Sequence, residues 1–131
     1  MNAMTRYVIY FIAFTFPVLA ISDEILETLP NGLQVYADYH DGEESKVAIL
    51  VQHGFMATHR FPTVENLVGE LADQGYTVLA PTLPLNIPLR KTAIACDTIH
   101  THHFDMDKEE LEWWLRWLEN KGHKKIVLIG H

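Results

Sequence analysis

The feature that most limits how this chain can fold is a set of short runs without polar residues. Val47–Val51 and Ile126–Ile129 are continuously apolar. A strand of this kind is typically covered on both faces, as in a parallel sheet packed between helices. A further strand is predicted at Tyr76–Ala80. Because predicted helices separate these strands, the alternation indicates right-handed crossovers and a mostly parallel sheet.

The first predicted helix follows the strand at Val47–Val51. Pro62 suits its first position, and Gly75 lies where a left-handed C-terminal cap is expected. Between them, apolar residues recur at helical spacing, at Val64, Leu67, Val68 and Leu71. This spacing predicts a helix with one buried face.

The second predicted helix precedes Ile126–Ile129 and ends at Gly122. Asp107 and Glu110 have the spacing of a capping box, which predicts a helix start near Asp107. The apolar stripe consists of Leu111, Trp114, Leu115 and Leu118, with Trp113 and Trp117 on an adjacent face. Helix-spaced aromatic residues are usually core, so we expect this stripe to pack on the sheet.

An antiparallel hairpin is predicted before the parallel strands. Ile25–Leu29 and Leu33–Tyr39 flank Pro30-Asn31-Gly32, and Asn-Gly between two β-compatible runs is a strong hairpin signal. The second run alternates apolar and polar residues, as a half-buried strand does. The predicted fold class is therefore α/β. Its architecture is a three-layer α/β/α sandwich, in which a mostly parallel sheet has an antiparallel N-terminal hairpin.

The N-terminal segment has the composition of a secretory signal peptide. Arg6 precedes a short apolar run that ends near Pro17, and small residues lead up to Ala20. We therefore interpret residues 1–22 as a signal peptide and residues 23–131 as a separate domain. This predicts a secreted or periplasmic protein with no stable membrane span after signal cleavage. A retained membrane anchor is the alternative.

Charge and cysteine content argue against a nucleic-acid-binding protein and against a protein stabilised by internal disulfides. The net charge is −7, and the only adjacent cations are Arg90-Lys91 and Lys124-Lys125. Nucleic-acid surfaces need clustered Lys and Arg, so no nucleic-acid partner is expected. We interpret Arg90 and Lys91 as two exposed cations, with contact to an anionic substrate as the alternative. Cys96 is the single cysteine, which excludes an internal disulfide.

The candidate functional residues follow two predicted strands. Gln52–Met56 follows the first apolar run, and Gly130-His131 follows the last one. In open α/β sheets, reactive groups collect beyond the carboxyl ends of the strands. These stretches resemble the α/β-hydrolase superfamily, in which one strand ends in His-Gly-x and a later one leads into Gly-x-Ser-x-Gly.

The resemblance implies a role for the last two residues. Gly130 and His131 would begin the nucleophile elbow, with His131 as its variable position and a serine nucleophile next. The catalytic acid and base would follow later in the family's chain order. The chain would then be an N-terminal part of a serine hydrolase that cleaves an ester, thioester or amide through an acyl-enzyme. Without the catalytic triad, we expect it to be inactive by itself.

The resemblance also implies a role for the loop after the first apolar run. The backbone N–H of Phe55 would donate to the oxyanion, with Met56 as the alternative donor. His53 and Gly54 would contribute to substrate binding. A histidine that only hydrogen-bonds the loop is the simpler interpretation of His53, because the family's base lies elsewhere.

One segment departs from the family pattern. Many of these hydrolases carry an Asp-x-x-Gly-x-Gly-like turn where this chain has Pro81–Pro88. The resemblance therefore does not indicate a substrate subfamily for this chain, and the predicted partner is only a small-molecule acyl substrate. The segment belongs to a long loop, Pro81–Phe104, of the kind that is often functional.

Histidines in this loop suggest the main alternative. His100, His102 and His103 could bind a metal ion in a periplasmic metal-binding protein. Their spacing does not match a known metallo-hydrolase run, so we predict no metal and no cofactor. A non-catalytic binding protein with the same fold is the other alternative.

Overall fold

The fold is a five-stranded sheet with two helices in a computed structural model that describes residues 23–43 and 47–131. The strands are β1 (Asp23–Thr28), β2 (Gln34–His40), β3 (Ala48–Gln52), β4 (Thr77–Pro81) and β5 (Ile126–Gly130). The helices are α1 (Pro62–Asp73) and α2 (Phe104–Asn120). The predicted signal segment, residues 1–22, lies outside the described residues. No helix in the described part is long and apolar enough to cross a membrane.

The sheet has the predicted mixed topology. Its strand order is β1-β2-β4-β3-β5. β2 pairs antiparallel with β1 and β4, whereas β3 pairs parallel with β4 and β5. In the hairpin turn, the Gly32 N–H donates to the Leu29 carbonyl at 2.8 Å, and Gly32 has a φ of 84°. The α/β class and the antiparallel start are confirmed.

The continuous apolar runs serve two cores because alternate residues of a strand face opposite sides. Ile49 and Val51 pack on the α1 side, whereas Ala48 and Leu50 pack on the α2 side. Burying an Ile, Val or Leu side chain in this way contributes about 1.5–3 kcal/mol. The predicted α/β/α layering follows directly from this division.

Helix α2 contributes its tryptophans to the core, as predicted, but it does not begin as predicted. Trp114 and Leu118 are fully buried. The helix starts at Phe104, and its N-cap residue His103 makes no side-chain capping bond. The capping-box prediction is therefore wrong. Asp107 lies inside the helix, and its carboxylate binds the imidazole of His102, with Oδ2 at 2.6 Å from Nε2.

Strand β5 is less covered than its sequence predicts. Val127 and Leu128 are 45% and 51% exposed. Within the described ranges, β5 pairs only with β3 and forms an edge of the sheet. An apolar edge of this kind favours further pairing or cover.

Candidate functional site

The carboxyl ends of β3 and β5 meet at one edge of the sheet. Gln52 is the register partner of Gly130, and the His131 N–H donates to the Gln52 carbonyl at 2.9 Å. A Cβ atom added to Gly54 would lie 3.4 Å from the His131 carbonyl oxygen. The structure therefore brings together the two stretches that the sequence singled out separately.

A tight turn follows His53. The Ala57 N–H donates to the Gly54 carbonyl at 3.1 Å and closes the turn around Phe55 and Met56. Among the residues that the structure describes, none accepts a hydrogen bond from the N–H group of Phe55 or of Met56. Adjacent free N–H groups of this kind can bind an anionic oxygen. The Phe55 side chain is 63% exposed beside them.

Met56 has a strained backbone. Its φ is 64°, in the left-handed region, which costs a residue with a Cβ about 1–2 kcal/mol. Its carbonyl accepts a hydrogen bond from the Ile94 N–H at 3.0 Å and another from Arg90 Nη1 at 3.4 Å. These contacts hold the turn in a conformation that methionine does not favour by itself.

His53 is buried and bonded through both ring nitrogens. The Leu83 N–H donates to Nε2 at 3.0 Å, so Nδ1 carries the proton and donates to the Gly54 carbonyl at 2.7 Å. Burial is the main cause that lowers the pKa of His53 to about 4, and the hydrogen bond to Gly54 opposes it. A neutral imidazole with no free nitrogen braces the loop and is unsuited to act as a general base.

Arg90 is buried, which contradicts its interpretation as an exposed cation. It is 5% exposed, and its guanidinium donates to the carbonyls of Leu83, Thr92 and Met56. Burial lowers its pKa to about 10, and the negative charges of Glu110 and Asp107 oppose this shift. No sequence signal distinguished it from its exposed neighbour Lys91, because its partners are backbone atoms of distant residues.

Histidines of the long loop lie beside the turn. The Phe55 ring is 5.2 Å from the His102 ring and 6.2 Å from the His100 ring, between centroids. His102 is itself held by Asp107. In the described part of the chain, no group of three or more His, Cys, Asp or Glu side chains is placed to hold a metal ion. His100, His102 and His103 therefore do not form such a group.

A cavity of about 310 Å³ lies beside His102. It lies between the hairpin turn, the segment after β4 and helix α2, and its apolar lining includes Leu33, Leu85 and Trp113. His102 lines the cavity and also contacts the Phe55 ring. Its size falls within the range of about 300–1,000 Å³ of small-molecule pockets. His102 is therefore shared by the cavity lining and the contacts of the Phe55 ring.

Sequence reasoning missed a buried polar network that joins β2, the segment before α1 and the segment after β4. Nδ1 of His59 is hydrogen-bonded to the Thr82 hydroxyl, and its Nε2 lies 3.4 Å from the Asp38 carboxylate. Burial raises the pKa of Asp38, but contacts with His59 and the charges of His59, Arg60 and His40 outweigh it and lower the pKa overall. Thr82 is 1% exposed, so no substrate reaches its hydroxyl. The network is structural.

Comparison with known proteins gives a match at the level of structure. No protein-family model and no curated protein matches the sequence. An esterase from Pyrococcus furiosus has a TM-score of 0.63 at 18% identity, over 96% of this chain and 45% of that one. A putative α/β hydrolase of unknown function from Agrobacterium tumefaciens also has a TM-score of 0.63 at 18% identity, over 83% and 49%.

A thioesterase domain from the curacin biosynthetic pathway is similar too. Its TM-score is 0.55 at 21% identity, over 85% of this chain and 37% of that domain. The chain thus spans about half the length of these structures or less. At these identities the likeness concerns the fold, and the chain has part of an α/β-hydrolase fold.

Proposed function

We propose that this chain is the N-terminal part of a serine hydrolase that cleaves an ester, thioester or amide through an acyl-enzyme. The observation that carries the proposal is the position of two free N–H groups, those of Phe55 and Met56, beside the carboxyl end of β5. The esterase and thioesterase names of the structural neighbours support the same class of reaction.

In this proposal the residue after His131 in the longer protein is serine. Its Oγ forms a bond to the carbonyl carbon of the substrate while a histidine from the later part of the protein takes its proton. The carbonyl oxygen then carries a negative charge. The bond to the leaving group breaks as that histidine gives the proton to the leaving group. Water repeats these steps on the acyl-enzyme and releases the acid.

The free N–H groups would stabilise the negative oxygen. The Phe55 N–H is the proposed donor, Met56 is the alternative, and the N–H of the residue after the serine completes the pair. Each donor of this kind is worth about 10²–10³ in rate. Because the backbone donates, the exposed Phe55 side chain is free to contact the acyl group.

The remaining residues of the site have supporting roles. Gly130 and His131 would lead into the nucleophile elbow, and Gly54 lies close to His131. Gly54 remains a proposed substrate-binding residue. His53 was also predicted to bind substrate, but its ring nitrogens are both occupied within the loop, which favours a bracing role.

The proposal extends to localisation and partner. A signal peptide at residues 1–22 would direct the protein to the periplasm or the medium. The partner would be a small-molecule acyl compound whose apolar part fits the cavity lined by Leu33, Leu85 and Trp113.

One experiment tests the proposed function. The longer protein is sequenced beyond His131 and treated with a serine-directed fluorophosphonate probe, with the 131-residue chain in parallel. We expect Ser-x-Gly after His131, labelling of the longer protein at that serine and no labelling of the shorter chain. A residue without a hydroxyl or thiol at that position would favour a non-catalytic binding protein instead. Labelling of the shorter chain would contradict the proposed position of the nucleophile.

A further inference from the structure

Arg90 carries a charge in the interior without a carboxylate partner. The side chain belongs to a residue that is 5% exposed, and its hydrogen bonds all go to backbone carbonyl oxygens. It forms no salt bridge with any carboxylate in residues 23–43 and 47–131, and Asp107 and the ionised form of Glu110 act on it only through charge. Burying an unpaired cation is costly, so a structural benefit must offset the cost.

The carbonyls that Arg90 binds belong to separate segments of the chain. Nε donates to the Leu83 carbonyl at 2.9 Å, in the segment after β4. Nη1 donates to the Met56 carbonyl at 3.4 Å, in the turn after β3, and to the Thr92 carbonyl at 3.1 Å. The guanidinium therefore links the turn to the segment that packs beside it.

Leu83 completes a closed set of contacts. Its N–H donates to His53 at 3.0 Å, at the start of the loop, while its carbonyl accepts from Arg90. Arg90 returns to the same loop at Met56. The His53 side chain before the free N–H groups and the Met56 carbonyl after them are thus hydrogen-bonded to the same segment after β4.

We propose that Arg90 is a positioning residue that holds the Phe55 and Met56 N–H groups in the orientation needed to bind an oxyanion. This inference rests on the proposed function. In this role Arg90 acts through the turn and not on the substrate, since its hydrogen bonds go to backbone carbonyls. Without it, the left-handed Met56 loses one of the two donors to its carbonyl, and the turn relaxes.

Lysine cannot replace Arg90 fully. Nε of the planar guanidinium reaches the Leu83 carbonyl while Nη1 reaches those of Met56 and Thr92, whereas an ammonium is a single point of charge. Arg90→Lys is therefore a conservative variant that keeps the charge and loses the geometry. Lys91→Met is the matched control, since Lys91 is a neighbouring exposed cation that binds Glu24 and Tyr36 away from the turn.

The first test measures hydrolysis of p-nitrophenyl acetate by the longer protein and its variants. Arg90→Ala is expected to lower kcat by about 10- to 100-fold, because small displacements in a catalytic site have effects of that order. KM should change little, and Arg90→Lys should fall between Ala and the wild type. Guanidinium ion at low concentration should partly restore Arg90→Ala and leave Lys91→Met unaffected.

The second test does not need activity. Hydrogen exchange of the Ala57 and Ile94 amides is measured, because these amides donate to the carbonyls of Gly54 and Met56. Their exchange should be faster in Arg90→Lys than in the wild type and unchanged in Lys91→Met. If Arg90→Ala fails to fold, Arg90→Lys carries both tests.

The outcomes separate the two proposals. A folded Arg90→Lys protein with wild-type kcat, or with wild-type exchange at Ala57 and Ile94, would overturn the positioning role. A wild-type longer protein that neither hydrolyses the ester nor reacts with fluorophosphonate would overturn the proposed function. In that case the exchange measurement still decides whether Arg90 holds the turn.

Discussion

The Leu83 N–H donates to Nε2 of His53 at 3.0 Å and so fixes the imidazole in one tautomer. The proton must then lie on Nδ1, which donates to the Gly54 carbonyl at 2.7 Å. This arrangement ties the loop after β3 to the segment after β4. It also removes His53 from the candidates for a proton-transfer role.

Replacing His53 tests this brace. His53→Ala leaves the buried Leu83 N–H without an acceptor, and we expect a loss of about 1–3 kcal/mol in the free energy of unfolding. Urea unfolding at neutral pH measures it. His103→Ala, at an exposed residue, is the control and should change stability by less than about 0.5 kcal/mol. Equal effects of the two substitutions would mean that the brace contributes nothing.

His53 also predicts a pH dependence. Its pKa is lowered from 6.5 to about 4 in the folded protein, chiefly by burial. Between these values the unfolded chain binds the extra proton, so stability falls as the pH is lowered through this window, by up to about 3 kcal/mol. The difference in unfolding free energy between wild type and His53→Gln should shrink over this range. A difference that stays constant from pH 7 to pH 4 would contradict the lowered pKa.

A proline at position 55 tests the proposed oxyanion donor. Phe55→Pro removes the N–H group, and proline suits the second position of a four-residue turn. We expect kcat of the longer protein to fall by about 10²–10³. Phe55→Ala keeps the N–H and should affect KM more than kcat. Equal kcat values for the two variants would assign the donor role to Met56 or show that this loop does not bind the oxyanion.

Glu110 predicts a pH dependence of the opposite sign. Glu110 is 7% exposed. Burial, with the charge of Asp107, raises its pKa from 4.5 to about 8, whereas contact with Trp114 and the charge of Arg90 oppose the rise. The folded protein then holds the extra proton between these values, so stability falls as the pH rises through this range.

Glu110→Gln removes that titration. We expect the variant to be more stable than the wild type at pH 8.5 by a few kcal/mol, and close to it at pH 5. Urea unfolding at the two pH values provides the comparison. Glu109→Gln, at the exposed neighbouring position, should show no such difference. A Glu110→Gln protein equally stable relative to wild type at both pH values would rule out the raised pKa.

The buried network around His59 can be tested through its hydroxyl group. Thr82→Val removes the hydrogen-bond partner of His59 Nδ1 and of the His59 N–H while keeping the shape of the side chain. The expected loss is about 1–3 kcal/mol in unfolding free energy. Thr63→Val, on the exposed side of α1, is the matched control. A neutral Thr82→Val would show that the network does not stabilise the fold.

Part of the candidate site could be predicted because it follows from local patterns. Gly130 and His131 directly follow an apolar run, Gly54 and Phe55 lie shortly after another, and the ends of parallel strands meet at one edge. What joins them is the register of β3 with β5, which pairs Gln52 with Gly130. That register depends on the whole sheet, so the distance between Gly54 and His131 could not be predicted.

The start of α2 shows why a local signal can fail. Asp107 and Glu110 have the spacing of a capping box, but the Asp107 carboxylate binds His102 and Glu110 is buried against the core. Side chains that suit a cap also suit other partners. The partner that the folded chain brings closest determines which interaction forms.

The sequence by itself determined the order and kind of the elements, the hairpin at Asn31-Gly32 and the division of the apolar runs between two cores. These depend on backbone preferences and on periodicities of two and 3.6 residues, which act over a few neighbouring positions. Only the tertiary structure decided that Arg90 is buried, that His53 is bonded at both nitrogens and that the Phe55 and Met56 N–H groups are free. Each of these outcomes depends on carbonyl and amide groups that folding brings together from distant parts of the chain.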